Sequence, residues 1–359
     1  MDTIDEHIIE QYCNDAVNLL SRLIEIPSFS KEEQGTTQLL QDFFTAKNIP
    51  TQRLVNNVWA VNRHYDPLLP TLLLNSHHDT VRPNKGYTAN PFEPLQSDGK
   101  LYGLGSNDAG GSLVSLISAF LYFYGRTGLK YNLLIAATAE EEISGANGVE
   151  LLLPHLGNID AAIVGEPTHM HMAVAEKGLM VLECTSTGIS GHAAHNEGEN
   201  ALYNAIDDIQ WFRNFSFPLV SDLLGPVKMN VTLIHGGTQH NVIPGECNFT
   251  VDIRINELYT HEQVLAIIRE HVKCKVVPRS TRLRSTCIEA THPLVQSGLN
   301  SGLKTFGSAT LSDKALMPFP ALKMGPGDTL RSHMADEFIF VDEIKEGIKI
   351  YIKLLNSIL

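Results

Sequence analysis

Three adjacent carboxylates, Glu140, Glu141 and Glu142, follow the largely apolar run from Tyr131 to Ala136. Like charges this close repel, and beside a low-dielectric interior one of them takes up a proton unless a cation or hydrogen-bond donors compensate. A glutamate run also suits the first turn of a helix, so the run decides nothing alone. Other apolar runs end in a similar way. Thr71 to Leu74 leads into Asn75-Ser76-His77-His78-Asp79, where a period of two puts His77 and Asp79 on one side. That pairing suits a metal-ligating histidine and the carboxylate that orients it. Ala161 to Val164 leads into Gly165-Glu166-Pro167-Thr168, Leu101 to Gly111 presents Asp108 from a glycine-rich turn, and Met324-Gly325-Pro326-Gly327 precedes His333.

Imidazole and oxygen donors in this mixture suit hard and borderline dications, and a bridging carboxylate would hold two of them about 3.5–4 Å apart. Two cations would offset the repulsion and leave one glutamate free for proton transfer. Gly103 and Gly105 also begin a Gly-x-Gly-x-x-Gly dinucleotide pattern, but Asp108 occupies the place of its third glycine. A carboxylate there would repel a pyrophosphate, which argues against a nucleotide-dependent oxidoreductase.

These residues need a rigid rim. Helical spacing runs from Asp15 to Glu25, Thr36 to Lys47, Gly111 to Tyr124, Pro293 to Phe306 and Asp342 to Ile358, with short buried-type strands at Thr71, Leu133 and Ala161. Strands alternating with helices predict an α/β catalytic domain, a largely parallel sheet with helices on both faces, whose ligands gather at the carboxyl ends of the strands. After Lys177 the pattern becomes half-buried alternation. Strands at 180–186, 228–234, 246–255 and 273–277, with helices at 201–212 and 261–271, give the order βαββαβ of a ferredoxin-like α+β sandwich. The expected division is 1–177 and 288–359 for the catalytic domain and 178–287 for an inserted lid domain.

The chain has 359 residues, 43% of them apolar, and a net charge of −13. That charge disfavours a nucleic-acid partner, and no run approaches the roughly 18 apolar residues of a membrane span. The acidic start from Met1 to His7 lacks the order of a secretory signal, and five scattered cysteines suit a reducing compartment, so the expected location is cytoplasmic.

At its site residues the chain resembles the dinuclear zinc metallopeptidase family that contains acetylornithine deacetylase, succinyl-diaminopimelate desuccinylase, aminoacylases and glutamate carboxypeptidases. The matching segments are His77-x-Asp79, Gly103 to Asp108, Glu140 to Glu142, Gly165 to Thr168, and Gly325 to Gly327 followed by His333. The resemblance implies two Zn²⁺ or Co²⁺ ions, with His77 and Glu166 on one, Glu142 and His333 on the other, and Asp108 bridging. It implies Glu141 as general base, Asp79 as the group orienting His77, and His192 of Ser190-Gly191-His192 as an oxyanion donor. Asn241 and Arg254 would face the substrate, although Asn241 also reads as a turn former before Pro244 and Arg254 as a partner of Asp252. A homodimer through the lid domain is a further implication. Gly110 stands where the family often has lysine, which predicts that a supporting cation is missing near Asp108. Overall length, the compact lid and the segments Gly165 to Thr168 and Gly325 to Gly327 look most like the acetylornithine deacetylase branch, implying hydrolysis of N-acetylornithine or an N-acylcitrulline in arginine biosynthesis. A dipeptidase, an exopeptidase or a desuccinylase would use the same residues. A non-hydrolytic metal-binding protein would have no need of Glu141.

Overall fold

The computed structural model describes residues 5–195 and 197–359. Two compact units form: the first runs to Val174 and resumes at Ile288–Phe306 and Ser312–Leu359, and the second comprises Ala175–Cys287 and Gly307–Leu311.

In the first unit, four parallel strands lie side by side in the order Asn132–Thr138, Thr71–His77, Ala161–Val164 and Ala321–Lys323. Asn57–Val61 and Gln52–Leu54 extend one edge antiparallel. Successive side chains of these strands enter two different cores. Leu72, Leu74, Leu133, Ile135 and Ile163 pack with the helices Glu6–Ile24, Gln34–Ala46, Gly111–Phe123 and Val341–Asn356. Leu73, Leu134, Ala136, Ala162 and Val164 pack with Val149, Leu152 and Leu156 on the other face. A parallel sheet covered on both sides needs such unbroken apolar runs. Burying each of Leu72, Leu74, Leu113 and Leu116, all 0–1% exposed, stabilises the fold by roughly 1.5–3 kcal/mol.

Two expectations change. The helix from Pro293 ends at Asn300 rather than Phe306, because Ser301 and Gly302, the latter at φ +84°, close it, and Thr305–Ser308 is a strand. The second unit begins at Ala175 rather than at residue 178, and Gly307–Leu311, within the stretch expected to return to the first domain, groups with it. There Gly307 lies against the Leu223 backbone, and Ser308 O accepts from Lys177 N at 3.2 Å.

The second unit is an antiparallel four-stranded sheet in the order Lys228–Gly236, Glu246–Ile255, Gly178–Thr187 and Lys275–Pro278. Helices Ala201–Asn214 and His261–His271 complete the βαββαβ sandwich, the second starting from a capping box between Thr260 and Gln263. Its core gathers Met180, Leu182, Phe249, Val251, Val264 and Ile268. Among the described residues no helix is long and apolar enough to cross a membrane.

Candidate active site

Parallel alignment brings the carboxyl ends of four strands to one rim. His77 is the last residue of its strand, Glu140 to Glu142 follow Thr138, Glu166 follows Val164, and Gly325 follows Lys323. The three adjacent glutamates then part company. Glu140 and Ser144 adopt left-handed backbone, φ 56° and 46°, on either side of a 3₁₀ turn at Glu141–Ile143. Glu140 turns inward and accepts from Asn147 Nδ2 at 2.9 Å, while its own N–H donates to Glu33 Oε1 at 3.2 Å. It belongs to the scaffold. Glu141 and Glu142 project the other way.

Asp79 holds that turn and the histidine together. Its Oδ1 accepts from Glu141 N at 3.0 Å, and its Oδ2 accepts from Ser30 Oγ at 2.7 Å and from Glu142 N at 3.2 Å. His77 Nδ1 lies 3.0 Å from Asp79 O and 3.4 Å from Oδ1. With Nδ1 directed at Asp79, Nε2 is the atom presented to the rim.

Around His77 Nε2 stand Asp108 Oδ1 at 3.4 Å, Glu166 Oε1 at 3.7 Å and Glu141 Oε2 at 3.9 Å. His333 Nε2 lies 2.9 Å from Glu142 Oε2 and 3.7 Å from Asp108 Oδ2. Asp108 therefore turns one oxygen toward each histidine, the disposition of a bridging carboxylate. The donor atoms of His77, Asp108 and Glu142 lie within 4.8 Å of one another, as do those of His77, Glu141 and Glu166. His77 Nε2 is buried without a hydrogen-bond partner. Its neighbours are too far for hydrogen bonds, yet donors sharing a tetrahedral cation at about 2.1 Å sit about 3.4 Å apart. The donor set fits a pair of divalent cations.

The electrostatics of the bare protein agree. Burial raises the Glu141 pKa well above the usual carboxylate range, with Glu166, Asp313 and Glu142 adding to it and His77 opposing. Burial pushes Glu166 up to about 8, Asp108 adding and His77 and Lys323 opposing. Burial disfavours the charged form of His77, but Asp108, Asp79, Glu141 and Glu166 outweigh it and raise its pKa well above the usual value. Hydrogen bonding to Glu142 takes His333 up to about 9. Without cations, protons must neutralise this cluster.

The glycine-rich loop presenting Asp108 bends through Gly103 at φ 150° and Gly105 at φ 76°, and the Asp108–Ala109 peptide is cis. A Cβ on Gly110 would lie 2.5 Å from Gly105 O and from Leu20 Cδ1, so no lysine fits there. A cation stands elsewhere in the site: Lys323, from the end of strand Ala321–Lys323, bears on Glu166. Spacing also gave no sign of three buried acids behind the rim. Glu337 accepts from the N–H groups of Gly105, Asn107 and Asp108, and burial together with the Asp108 charge takes its pKa up to about 8. Asp313 accepts from Asn75 Nδ2 and Thr138 Oγ1, and Glu33 from Lys31 N and Asn56 Nδ2.

The remaining predicted residues lie on the second unit. His192 is exposed on a short ribbon, paired with Val242, and Ala193 N donates to Asn241 O at 2.9 Å, so His192 and Asn241 are neighbours. Arg254 makes a two-point pair with Asp252, Nε–Oδ1 2.8 Å and Nη2–Oδ2 3.1 Å. Among the two readings of Arg254, the structure displays the one in which it partners Asp252.

Comparison with known proteins adds a second line. The model of Peptidase family M20/M25/M40 matches residues 73–357. Succinyl-diaminopimelate desuccinylase 2 of Ruegeria sp. (strain TM1040) is 26% identical, over 97% of this chain and 96% of that one. The succinyl-diaminopimelate desuccinylase of Xanthomonas oryzae pv. oryzae (strain PXO99A) is 31% identical over 67% of this chain and 68% of that one. In fold, the chain is similar to the aminopeptidase PepT of Bacillus cereus ATCC 10987, with TM-score 0.78 and 16% identity over 96% of this chain and 98% of that one. It is also similar to a dinuclear metal-binding M20 peptidase of Bacillus subtilis, with TM-score 0.71 and 16% identity over 96% and 98%.

Proposed function

Since the chain belongs to peptidase family M20/M25/M40, we propose that it hydrolyses the amide bond of an N-acyl amino acid, releasing a carboxylic acid and the free amino acid. The observation that carries this reading is Asp108, with Oδ1 facing His77 and Oδ2 facing His333. By this reading His77 and Glu166 would hold one cation, Glu142 and His333 a second, and Asp108 both. When bound, zinc or cobalt supplies the Lewis acidity that lowers the pKa of water and polarises the amide carbonyl.

The chain's own residues handle the protons. Glu141, beside His77 but not its nearest carboxylate, takes the proton of the attacking water. The water oxygen bonds to the carbonyl carbon, the C–N bond breaks, and Glu141 returns the proton to the amine nitrogen. Asp79 keeps Nε2 of His77 facing the rim and fixes the backbone of Glu141 and Glu142. His192 is assigned by resemblance to the tetrahedral oxyanion. On that assignment His192→Ala lowers kcat by up to roughly 10²–10³-fold with a smaller change in KM. An unchanged kcat would make it an ordinary loop histidine.

For the substrate, relatives named succinyl-diaminopimelate desuccinylase support an N-succinyl amino acid, diaminopimelate first, in amino-acid biosynthesis. N-acetylornithine, N-acylcitrulline and a place in arginine biosynthesis have no such support. The location we propose is the cytoplasm, and the ligand a small molecule. Side-by-side kcat/KM values for N-succinyl and N-acetyl forms of diaminopimelate, ornithine, citrulline and lysine, with a set of dipeptides, test the reading. We expect the N-succinyl compounds to lead. A lead for dipeptides would overturn the deacylase reading.

A further inference from the structure

We propose that Glu337 is a positioning residue that locks the loop carrying Asp108 to the loop carrying His333, so that its loss weakens both cation positions. Glu337 is 2% exposed. Its Oε1 accepts from Asn107 N at 2.8 Å and Asp108 N at 2.9 Å, and its Oε2 from Gly105 N at 2.9 Å. Its own carbonyl accepts from Gly103 N at 3.0 Å. All four donors belong to the glycine-rich turn that presents Asp108.

On the other side of His333 the same two loops are tied again. Asn107 Nδ2 donates to Asp328 O, and Asp328 N donates to Asn107 Oδ1, both at 3.0 Å. The segment 328–337, with His333 between its ends, is thus fastened at both ends to residues 105–108. A carboxylate is also a costly choice for this fastening. Burial beside Asp108 opposes the charge of this carboxylate, and the three N–H donors offset that cost. Glutamine cannot substitute cleanly, because its NH₂ would face one of the three amide N–H groups and leave it unpaired.

The inference rests on the two-cation reading above. Metal-stripped full-length wild type and Glu337→Gln are titrated with Co²⁺ by calorimetry and by the cobalt absorption spectrum. Glu337→Gln should lose roughly 10- to 100-fold in affinity at both positions, the usual effect of removing a partner that orients ligands. Leu40→Ala, fully buried on helix Gln34–Ala46, whose described side-chain hydrogen bonds reach neither loop, should lower the metal-free Tm yet leave Co²⁺ affinity within about twofold, as additivity of independent sites predicts. Equal Co²⁺ affinity in wild type and Glu337→Gln, or equal losses in the two variants, would overturn the role of Glu337. No tight Co²⁺ binding by wild type would overturn the two-cation reading itself. Hydrogen exchange on wild type needs no variant: peptides spanning 103–110 and 328–337 should gain protection along one common Co²⁺ curve. Separate midpoints would show that the loops are independent.

Discussion

Glu141→Gln keeps its cations and loses turnover by about 10²–10⁴-fold or more, the usual worth of a general base and larger where one group also serves as the acid. Glutamine fills the same space and leaves the backbone tie from residue 141 to Asp79 in place, but it cannot accept a proton from water. The geometry makes this substitution decisive because it offers two parts for Glu141. Its Oε2 groups with His77 and Glu166 as a potential ligand, yet at 3.9 Å it is the most distant of the three carboxylates around Nε2. Elemental analysis of the purified variant separates the two. Retained metal with lost kcat identifies the base, whereas lost metal would make Glu141 a ligand. Activity within about threefold of wild type would move the proton transfer elsewhere.

Asp108→Ala empties both cation positions, whereas His333→Ala chiefly empties one. The difference follows from what each removal leaves. Without Asp108, His77 retains Glu166 and His333 retains Glu142, but no carboxylate joins the pairs. Without His333, Asp108 and His77 keep their spacing, and only the neighbourhood of Glu142 is depleted. Both losses should exceed the roughly 10–100-fold typical of groups that merely orient a ligand. Metal stoichiometry after gel filtration, with circular dichroism to verify folding, reads the result. Equal and slight effects would dissolve the bridging assignment.

The rim is legible because short apolar runs announce buried strands, here four to seven residues long, and parallel strands deliver whatever follows them to one edge. His77, Glu166 and the turn after Thr138 could be placed together on that logic alone. Strand Ala321–Lys323 has three residues and no periodicity to read, so its part in the rim, and the reach of Lys323 toward Glu166, could not be anticipated. The fate of Glu140 was hidden for another reason. Its own left-handed backbone turns it away from Glu141 and Glu142, and no glycine stands there to signal the bend. Glu337 and Asp313 lie far along the chain from the groups they hold, and a carboxylate's partners across 229 or 238 positions leave no trace in local pattern. Arg254 shows the limit of a shared motif, since the same alternation that could expose it to a ligand also puts it within reach of Asp252.

The crowding of acids around His77 and His333 also has a bearing on how long the protein persists. Only the folded chain brings these donors together, so every cation held there draws the folding equilibrium toward the native state. At a hundredfold excess over Kd one site contributes about 2.7 kcal/mol, a sizeable share of the roughly 5–15 kcal/mol by which domains are stable. Chelation should appear as a fall in Tm before any question of catalysis arises. Metal scarcity would then act on abundance: a starved cell would hold fewer copies, because the unloaded chain opens more often to proteases.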